Sequence, residues 1–264
     1  METEVYSLVK TSIKHTLKID LENYKEEQMK RRLDSWLVRS HISSWREYLS
    51  LLPNNEKELE RFRNYLTINV TEFFRDPSRW EHVRSNILPY LIQNSAQHHS
   101  YSGLKLWSAG CSIGVEAFTL AMIMEESAPK QPYAILATDL DRGALLKATA
   151  RGPYTAEDIR NLSPTQRRQY ITPSAPYHMT EKMQKNIRFQ EQNLLEDRFE
   201  GDFDLIVCRN VVIYFTTESK DALYTKFSRA LCPGGVLFVG GTEIISVPAK
   251  FGLQNFGISF YKKA

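Results

Sequence analysis

Glycine is missing from the first 75 residues, and Pro53 is the only proline among them. A stretch without either breaker argues against hairpins and suits short helices packed on one another. Cysteine is scarce. Cys111, Cys208 and Cys232 cannot all pair and none stands at metal-ligand spacing, which excludes a disulfide scaffold and a zinc module and points to a reducing compartment. Charge of one sign is not in excess: 34 Lys and Arg face 31 Asp and Glu, a net +3, so no nucleic-acid partner is expected. Early acids at Glu2 and Glu4 replace the apolar core of a signal peptide. The most apolar run, Phe203 to Phe215, is interrupted by Asp204, Arg209 and Asn210, so no membrane insertion is expected. What remains is ordinary globular composition, 42% hydrophobic and 25% charged, in a chain long enough for one large domain and a smaller companion. The expected location is the cytoplasm.

The texture changes along the chain. Residues 1–75 carry apolar side chains three and four apart, the period of amphipathic helices. From Leu104 onward, short apolar runs closed by Gly, Asp or Asn alternate with helical stretches. The strand candidates begin at Leu104, Tyr133, Ile187, Phe203 and Val236. This alternation predicts an α/β domain of parallel βαβ units. The expected division is a helical domain at 1–75 and an α/β domain at 76–264. An accessory segment at about 165–190 is marked by Pro164, Pro173 and Pro176.

The first chemical signal is the turn from Ser108 to Glu116, with Gly110 and Gly114 between a strand and a helical run. Glycines there permit a tight turn and close approach of backbone to a ligand, although a plain βα turn has the same appearance. Asp139 closes the next strand, 25 residues after Gly114. An acid at that point is placed to accept hydrogen bonds from a ribose diol; Asp139 or Asp141 is equally placed to cap the following helix. Together these features favour an adenosine cofactor, with NAD and S-adenosylmethionine both compatible.

The tail separates the two. A helix running into Leu231, Pro233, Gly234 and Gly235 before a strand resembles the late segment of the S-adenosylmethionine methyltransferase fold, whose last strand is antiparallel, as the 256–262 segment suits. Five blocks then occur in one order. They are Asn69 and Thr71 to Arg75, Asp76 and Pro77; Gly110 to Glu116; Thr138, Asp139 and Asp141; Asn193 with Leu194; and Cys208, Arg209, Asn210, Val211 to Tyr214 and Phe215. In these the chain resembles the chemotaxis-receptor glutamate O-methyltransferases, the CheR type, over nearly its whole length. Its glycine turn departs from the family's usual residues at Ile113, Val115, Ala117 and Phe118, with Gly110, Gly114 and Glu116 kept.

The resemblance implies a class I S-adenosylmethionine methyltransferase sheet of Rossmann-like build, with a small all-helical N-terminal domain and a small inserted β-subdomain. It implies methyl transfer from S-adenosylmethionine, leaving S-adenosylhomocysteine, to glutamates on the cytoplasmic methylation helices of methyl-accepting chemotaxis receptors. It places cofactor contacts at Asn69, Thr71, Arg75, Glu116, Asp139, Asn193, Leu194, Asn210 and Val211. Catalysis would fall to Arg75 and Tyr214, and the protein would be recruited to membrane receptor arrays.

The chemistry is consistent with the residues. A glutamate is already ionised near pH 7, so its methylation needs positioning and exclusion of water rather than a strong base. Arg75 is suited to pair with a carboxylate, of cofactor or substrate, or with its neighbours Asp76 and Glu72 in a surface ion pair. Tyr214 is suited to hydrogen-bond the substrate or border the methyl group, or simply to pack. On a helix through 25–39, Met29, Leu33, Trp36 and Leu37 share one face, and Lys25, Arg32 and Arg39 form a basic stripe beside it. That stripe is either a dock for acidic receptor helices or a solvated face. In the family the segment at 170–189 grips a receptor tail peptide in some members. Here it carries Pro173 and Pro176 and no glycine, so a tether-independent member is expected. His98 and His99 are read as loop residues without a metal, Cys208 as core, and Arg167 with Arg168 as solvent-facing. The rival classes are a nicotinamide oxidoreductase and a non-catalytic cofactor-binding module.

Overall fold

In the computed structural model, residues 1–67, 71–98 and 103–264 are described. They form two compact units: Met1–Asn69 with Val212–Ala222, and Val70–Val211 with Leu223–Ala264.

The smaller unit is helical: α1 (Thr3–Leu17), α2 (Glu26–Arg39), α3 (Trp45–Leu51) and α4 (Glu56–Thr67). Each presents its apolar positions inward, as the helical period requires: Val9, Ile13 and Leu17 from α1, Met29, Leu33 and Trp36 from α2, and Phe62 and Leu66 from α4 are buried. Trp36, Trp45, Tyr48 and Phe62 meet in stacked and edge-on pairs with centroids 5.3 to 6.3 Å apart. The segment from 212 joins this unit through a bridge between Tyr24 and Phe215, whose rings meet edge-on at 5.1 Å. Tyr214 O accepts from Lys25 N at 2.9 Å.

The larger unit is built on a seven-stranded sheet: β1 (Leu104–Ala109), β2 (Tyr133–Asp139), β3 (Ile187–Glu191), β4 (Phe203–Cys208), β5 (Leu231–Val239), β6 (Leu253–Asn255) and β7 (Phe260–Lys263). The order is β3-β2-β1-β4-β5-β7-β6. β1 to β5 run parallel, and β7 lies antiparallel to both β5 and β6. The antiparallel strand foreseen at the tail is thus present. It starts later than expected because Gly257, at φ +129°, turns the chain first.

Connecting helices are α5 (Pro77–His82), α6 (Leu88–His98), α7 (Val115–Ser127), α8 (Arg142–Thr149), α9 (Pro164–Tyr170) and α10 (Thr217–Ala230). α7 is apolar nearly all round, and Val115, Phe118, Leu120, Ala121, Met122 and Ile123 are all buried. The proline-marked segment contains more helix than the sequence suggested. Ser163 and Gln166 form a capping box around Pro164, and α9 follows, so this proline starts a helix rather than a loop. Between α9 and β3, the β structure among the described residues is two isolated antiparallel bridges, Tyr177 with Tyr154 and Ile171 with Met179.

The strand order reverses direction at β1, between β2 and β4, which makes the carboxyl ends of β1 and β4 a topological switch point, where open α/β sheets bind ligands. The turn after β1 is held there by Gly110 N and Cys111 N, which donate to Thr138 O at 2.8 and 2.9 Å. Gly114 has φ +85°, and a Cβ added to it would lie 2.8 Å from the Ala148 Cβ. Gly114→Ala is therefore expected to cost roughly 2 kcal/mol of stability through the combined strain and clash, measured by urea unfolding; a loss within error of zero would contradict the geometry.

Candidate functional site

The turn from Gly110 to Glu116 forms one wall. Gly110 has φ +86°, and a Cβ there would lie 2.5 Å from Cγ2 of Val211, so β4's exit and β1's exit touch through the missing side chain. Ser112, itself at φ +48°, donates its N–H to Asp139 Oδ2 at 2.7 Å, and the other Asp139 oxygen accepts from Asp141 N at 2.9 Å. The cap of α8 belongs to Asp141, whose fully buried carboxylate accepts from Ala144 N at 3.0 Å. Asp139 is thereby left at the strand end, half-buried beside the turn. Burial pushes its pKa up to about 6, against the pull of its backbone donors.

Glu116 stands in the first turn of α7. Its Oε1 accepts from the Ser108 hydroxyl at 2.8 Å, and its Oε2 lies 4.0 Å from Nη1 of Arg209. Burial pushes its pKa up to about 7; Arg209, the Ser108 hydroxyl and Arg75 act in the opposite direction, and Glu243 adds to the rise. The thiols of Cys111 and Cys208 are driven well above their ordinary value by burial, which suits packing rather than nucleophilic chemistry.

Arg209 is the residue that sequence reading missed. Its side chain is 3% exposed, its Nη2 pairs with Asp76 Oδ2 at 2.5 Å, and its guanidinium lies over Trp80 at 5.4 Å and Phe238 at 4.9 Å. The available signal was an arginine inside a run otherwise fit for a buried strand. Asn210 follows at φ +60°. Its N–H and that of Gly240 both donate to Glu243 Oε2 at 2.7 Å. A Cβ on Gly240 would lie 2.3 Å from that oxygen, so the glycine makes room for a carboxylate that ties β4's end to β5's. Glu243 is the second residue missed.

Within the block at 69–77, Asn69 lies outside the described residues. Thr71 is half-buried, and Phe73 is fully buried against Tyr154, edge-on at 5.1 Å. Phe74 and Asp76 both adopt left-handed backbone, with Phe74 N donating to Thr119 Oγ1 at 3.3 Å on α7. The two acids considered as partners of Arg75 also serve other cations: Glu72 pairs with Arg160 at 2.5 Å, and Asp76 with Arg209. Arg75 is half-buried, with its charge acting on Glu116 and Arg209.

Asn193 and Leu194 lie on the loop after β3. The Asn193 side-chain Oδ1 accepts from Leu195 N at 3.0 Å, and its backbone N–H donates to Asp197 Oδ2 at 2.8 Å. Lys226 of α10 donates to the carbonyls of Leu194 at 2.7 Å, Leu195 at 3.3 Å and Asp197 at 2.7 Å, over the Phe199 ring. In the larger unit Thr71 and Arg75 precede α5, Glu116 lies in the first turn of α7, Asp139 ends β2, and Asn193 with Leu194 and Asn210 with Val211 follow β3 and β4; of these, Asp139 and Val211 meet the Gly110–Glu116 turn and the Arg75 charge acts on Glu116.

In the smaller unit, Tyr214 is half-buried and Lys25 and Arg39 are exposed. Arg32 departs from the even basic stripe. It is half-buried, donates to the Tyr65 carbonyl and lies over the Tyr65 ring at 4.3 Å, with Arg39 over the same ring at 5.4 Å. Its burial lowers its pKa, and the nearby Tyr65 and Tyr214 partly restore it. Arg167 and Arg168 are exposed, as expected, and Arg167 in addition donates to the carbonyls of Ile159, Arg160 and Leu162. Cys208 is buried in β4. The side chain of His98 and all of His99 lie outside the described residues.

The set of groups fits a nucleoside with hydroxyls and an ammonium group: a turn whose Gly110 and Gly114 lack Cβ atoms, two half-buried carboxylates as acceptors, and an arginine for a carboxylate end. A family profile described as CheR methyltransferase, SAM binding domain, matches residues 69–258, and one described as CheR methyltransferase, all-alpha domain, matches residues 4–67. The chemotaxis protein methyltransferase of Listeria monocytogenes is 42% identical over 252 residues, 95% of this chain and 94% of its own. Chemotaxis protein methyltransferase 1 of Pseudomonas aeruginosa is 31% identical over 253 residues, 91% of this chain and 90% of its own. That of Salmonella typhimurium is 30% identical over 239 residues, covering 86% and 79%.

Glu116 makes stability depend on pH. Its carboxyl titrates near the ordinary value of 4.5 when unfolded and at about 7 when folded. Between those values the folded state holds the extra proton, so stability falls as pH rises through this window and stays lower above it. Without added cofactor, the Tm of Glu116→Gln is expected to fall less between pH 5 and pH 8 than that of the parent protein. Equal falls would mean that Glu116 titrates normally.

Proposed function

Because this chain belongs to the CheR methyltransferase family, we propose that its larger unit holds the methyl donor and its smaller unit presents the acceptor. The enzyme transfers a methyl group from S-adenosylmethionine to glutamate side chains of chemotaxis receptors, forming methyl esters that adapt the sensory response. Membership decides the choice that the glycine turn and Asp139 leave open in favour of S-adenosylmethionine. The observation that carries the reading at the site is the pair of half-buried carboxylates, Glu116 and Asp139, flanking a turn whose glycines admit close approach.

When bound, S-adenosylmethionine supplies an electrophilic methyl group on a sulfonium. We assign its binding to Asn69, Thr71, Arg75, Glu116, Asp139, Asn193, Leu194, Asn210 and Val211. Arg75 is the fixed cation for a carboxylate, and Tyr214 the hydroxyl that orients the acceptor glutamate. No general base is needed, because the acceptor is ionised at neutral pH. Bringing an anionic nucleophile onto a cationic electrophile consumes both charges, so a site that excludes water lowers the barrier. The aromatic walls around the Arg75–Asp76 segment, Phe73, Phe74 and Trp80, are suited to that exclusion.

Incubation with tritiated S-adenosylmethionine and receptor-bearing membranes tests the reading. Base-labile label on the receptor, released as methanol, is the expected result, lowered in Arg75→Ala and Tyr214→Phe. Tight cofactor binding without transfer would favour a non-catalytic module. The tether-independent reading of 170–189 uses the same assay: receptors lacking their last residues should be labelled at the unchanged rate, and a large drop would contradict it.

Docking on the receptor's acidic helices, and with it recruitment to receptor arrays, is assigned to the basic stripe of Lys25, Arg32 and Arg39 along α2. Lys25 and Arg39 are its exposed charges, and Arg32 is the supporting one. The double variant Lys25→Glu, Arg39→Glu is expected to raise the receptor KM several-fold with cofactor affinity unchanged. Weakened cofactor binding instead would sink the docking role.

A further inference from the structure

Arg209 lies in the larger unit between two segments far apart in sequence. On one side is Asp76, next to Arg75 at the start of α5; on the other is Glu116 on α7. Trp80 and Phe238 cover its faces. Such enclosure leaves a guanidinium fixed in direction, and a buried cation persists only where carboxylates compensate it. Arg209 is therefore a rigid fork whose prongs address one acid from each segment.

We propose that Arg209 is a positioning residue for cofactor binding: its guanidinium ties the loop carrying Arg75 to the helix carrying Glu116, and its charge holds Glu116 in the ionised form that accepts the cofactor's hydroxyl or ammonium donors. Arg209 touches neither cofactor nor acceptor in this scheme. The inference rests on Glu116 being a cofactor contact. The groups whose charges act on Glu116 are Arg209, Arg75 and Glu243, with the Ser108 hydroxyl bonded to it and the Cys111 and Cys208 thiols nearby. Those acting on Arg209 are Glu116, Asp76, Arg75 and Glu243. Of these, Arg209 meets the Glu116 carboxylate directly, with Nη1 4.0 Å from Oε2.

The test is calorimetric binding of S-adenosylhomocysteine between pH 5.5 and pH 9, which needs no turnover. An ionised carboxylate binds donors more strongly than a protonated one. The parent protein should therefore gain affinity as pH rises through about 7, where Glu116 titrates. Asp139 contributes a separate step at about 6, shared by all variants. Glu116→Gln should lose the step near 7. Arg209→Met should move that step to higher pH, weakening binding at pH 7.5 by about threefold for the first unit of displacement and by up to about tenfold for each further one, and by less at pH 9. In the double variant with Glu116→Gln, the displacement should vanish.

An Arg209→Met protein that loses the same factor at every pH, or none, overturns the proposal. If Arg209→Met shows no folded circular dichroism spectrum, Arg209→Lys carries the test. One ammonium serves one carboxylate at a time, so the step should again rise, and an unmoved step overturns the proposal. If Glu116→Gln keeps both the affinity and the step of the parent, the failure lies with Glu116 as a cofactor contact rather than with Arg209.

Discussion

The carboxyl ends of β1 and β4 meet so closely that a single added methyl group at Gly110 would collide with Val211. That contact sets the geometry around it. Because β4 exits against a bare backbone, Asn210 can turn into a left-handed conformation, with its N–H directed at Glu243 rather than lost inside the protein. An unpaired buried N–H is costly, so the shared Glu243 acceptor is what allows the strand to end where it does. Gly240 yields the space that this carboxylate occupies. The chain from Gly110 through Val211 and Asn210 to Glu243 thus holds the crevice open at the point where parallel strands diverge.

The charges around the crevice follow from its dryness. Glu116 and Asp139 sit where burial raises both pKa values, one to about 7 and the other to about 6. A site that bound its ligand through two freely ionised acids would be wetter and less selective. Keeping them usable in a dry setting needs nearby donors: backbone N–H groups for Asp139, and Ser108 with Arg209 for Glu116. The same low polarity favours a reaction that neutralises an anion and a cation, so the cost of burying these carboxylates and the ease of methyl transfer share one cause.

Legibility divided along the line between local and non-local physics. The parallel strands, the antiparallel closing strand, Gly110 with Gly114, and the acid at 139 are written in short windows of sequence, where periodicity and backbone freedom decide the outcome. The capping of α8 was ambiguous because Asp139 and Asp141 are two residues apart and of the same chemistry; only the direction of the Asp141 carboxylate, toward Ala144 N, assigns it. Helix α9 was hidden because prolines read as breakers, whereas Pro164 stands at the first helical turn, where its missing N–H has no cost. That residues 212–222 belong with the N-terminal helices was not legible at all, since the bridge from Tyr24 to Phe215 spans most of the chain.

The basic residues show why charge alone is a poor guide. Arg32, Arg167 and Arg209 look alike in sequence, yet the first holds the Tyr65 carbonyl, the second collects three carbonyls of the preceding turn, and the third is enclosed between Trp80 and Phe238. A guanidinium has five donors in a plane and a faintly hydrated face, so it is the cation that a folded chain can enclose and use as a brace. Lysine serves that role only where carbonyls converge on one point, as they do at Lys226. A seven-residue spacing identifies which side of a helix a charge occupies; whether that charge meets a partner or braces its own fold depends on aromatic rings and carbonyls supplied by other elements, which no local pattern records.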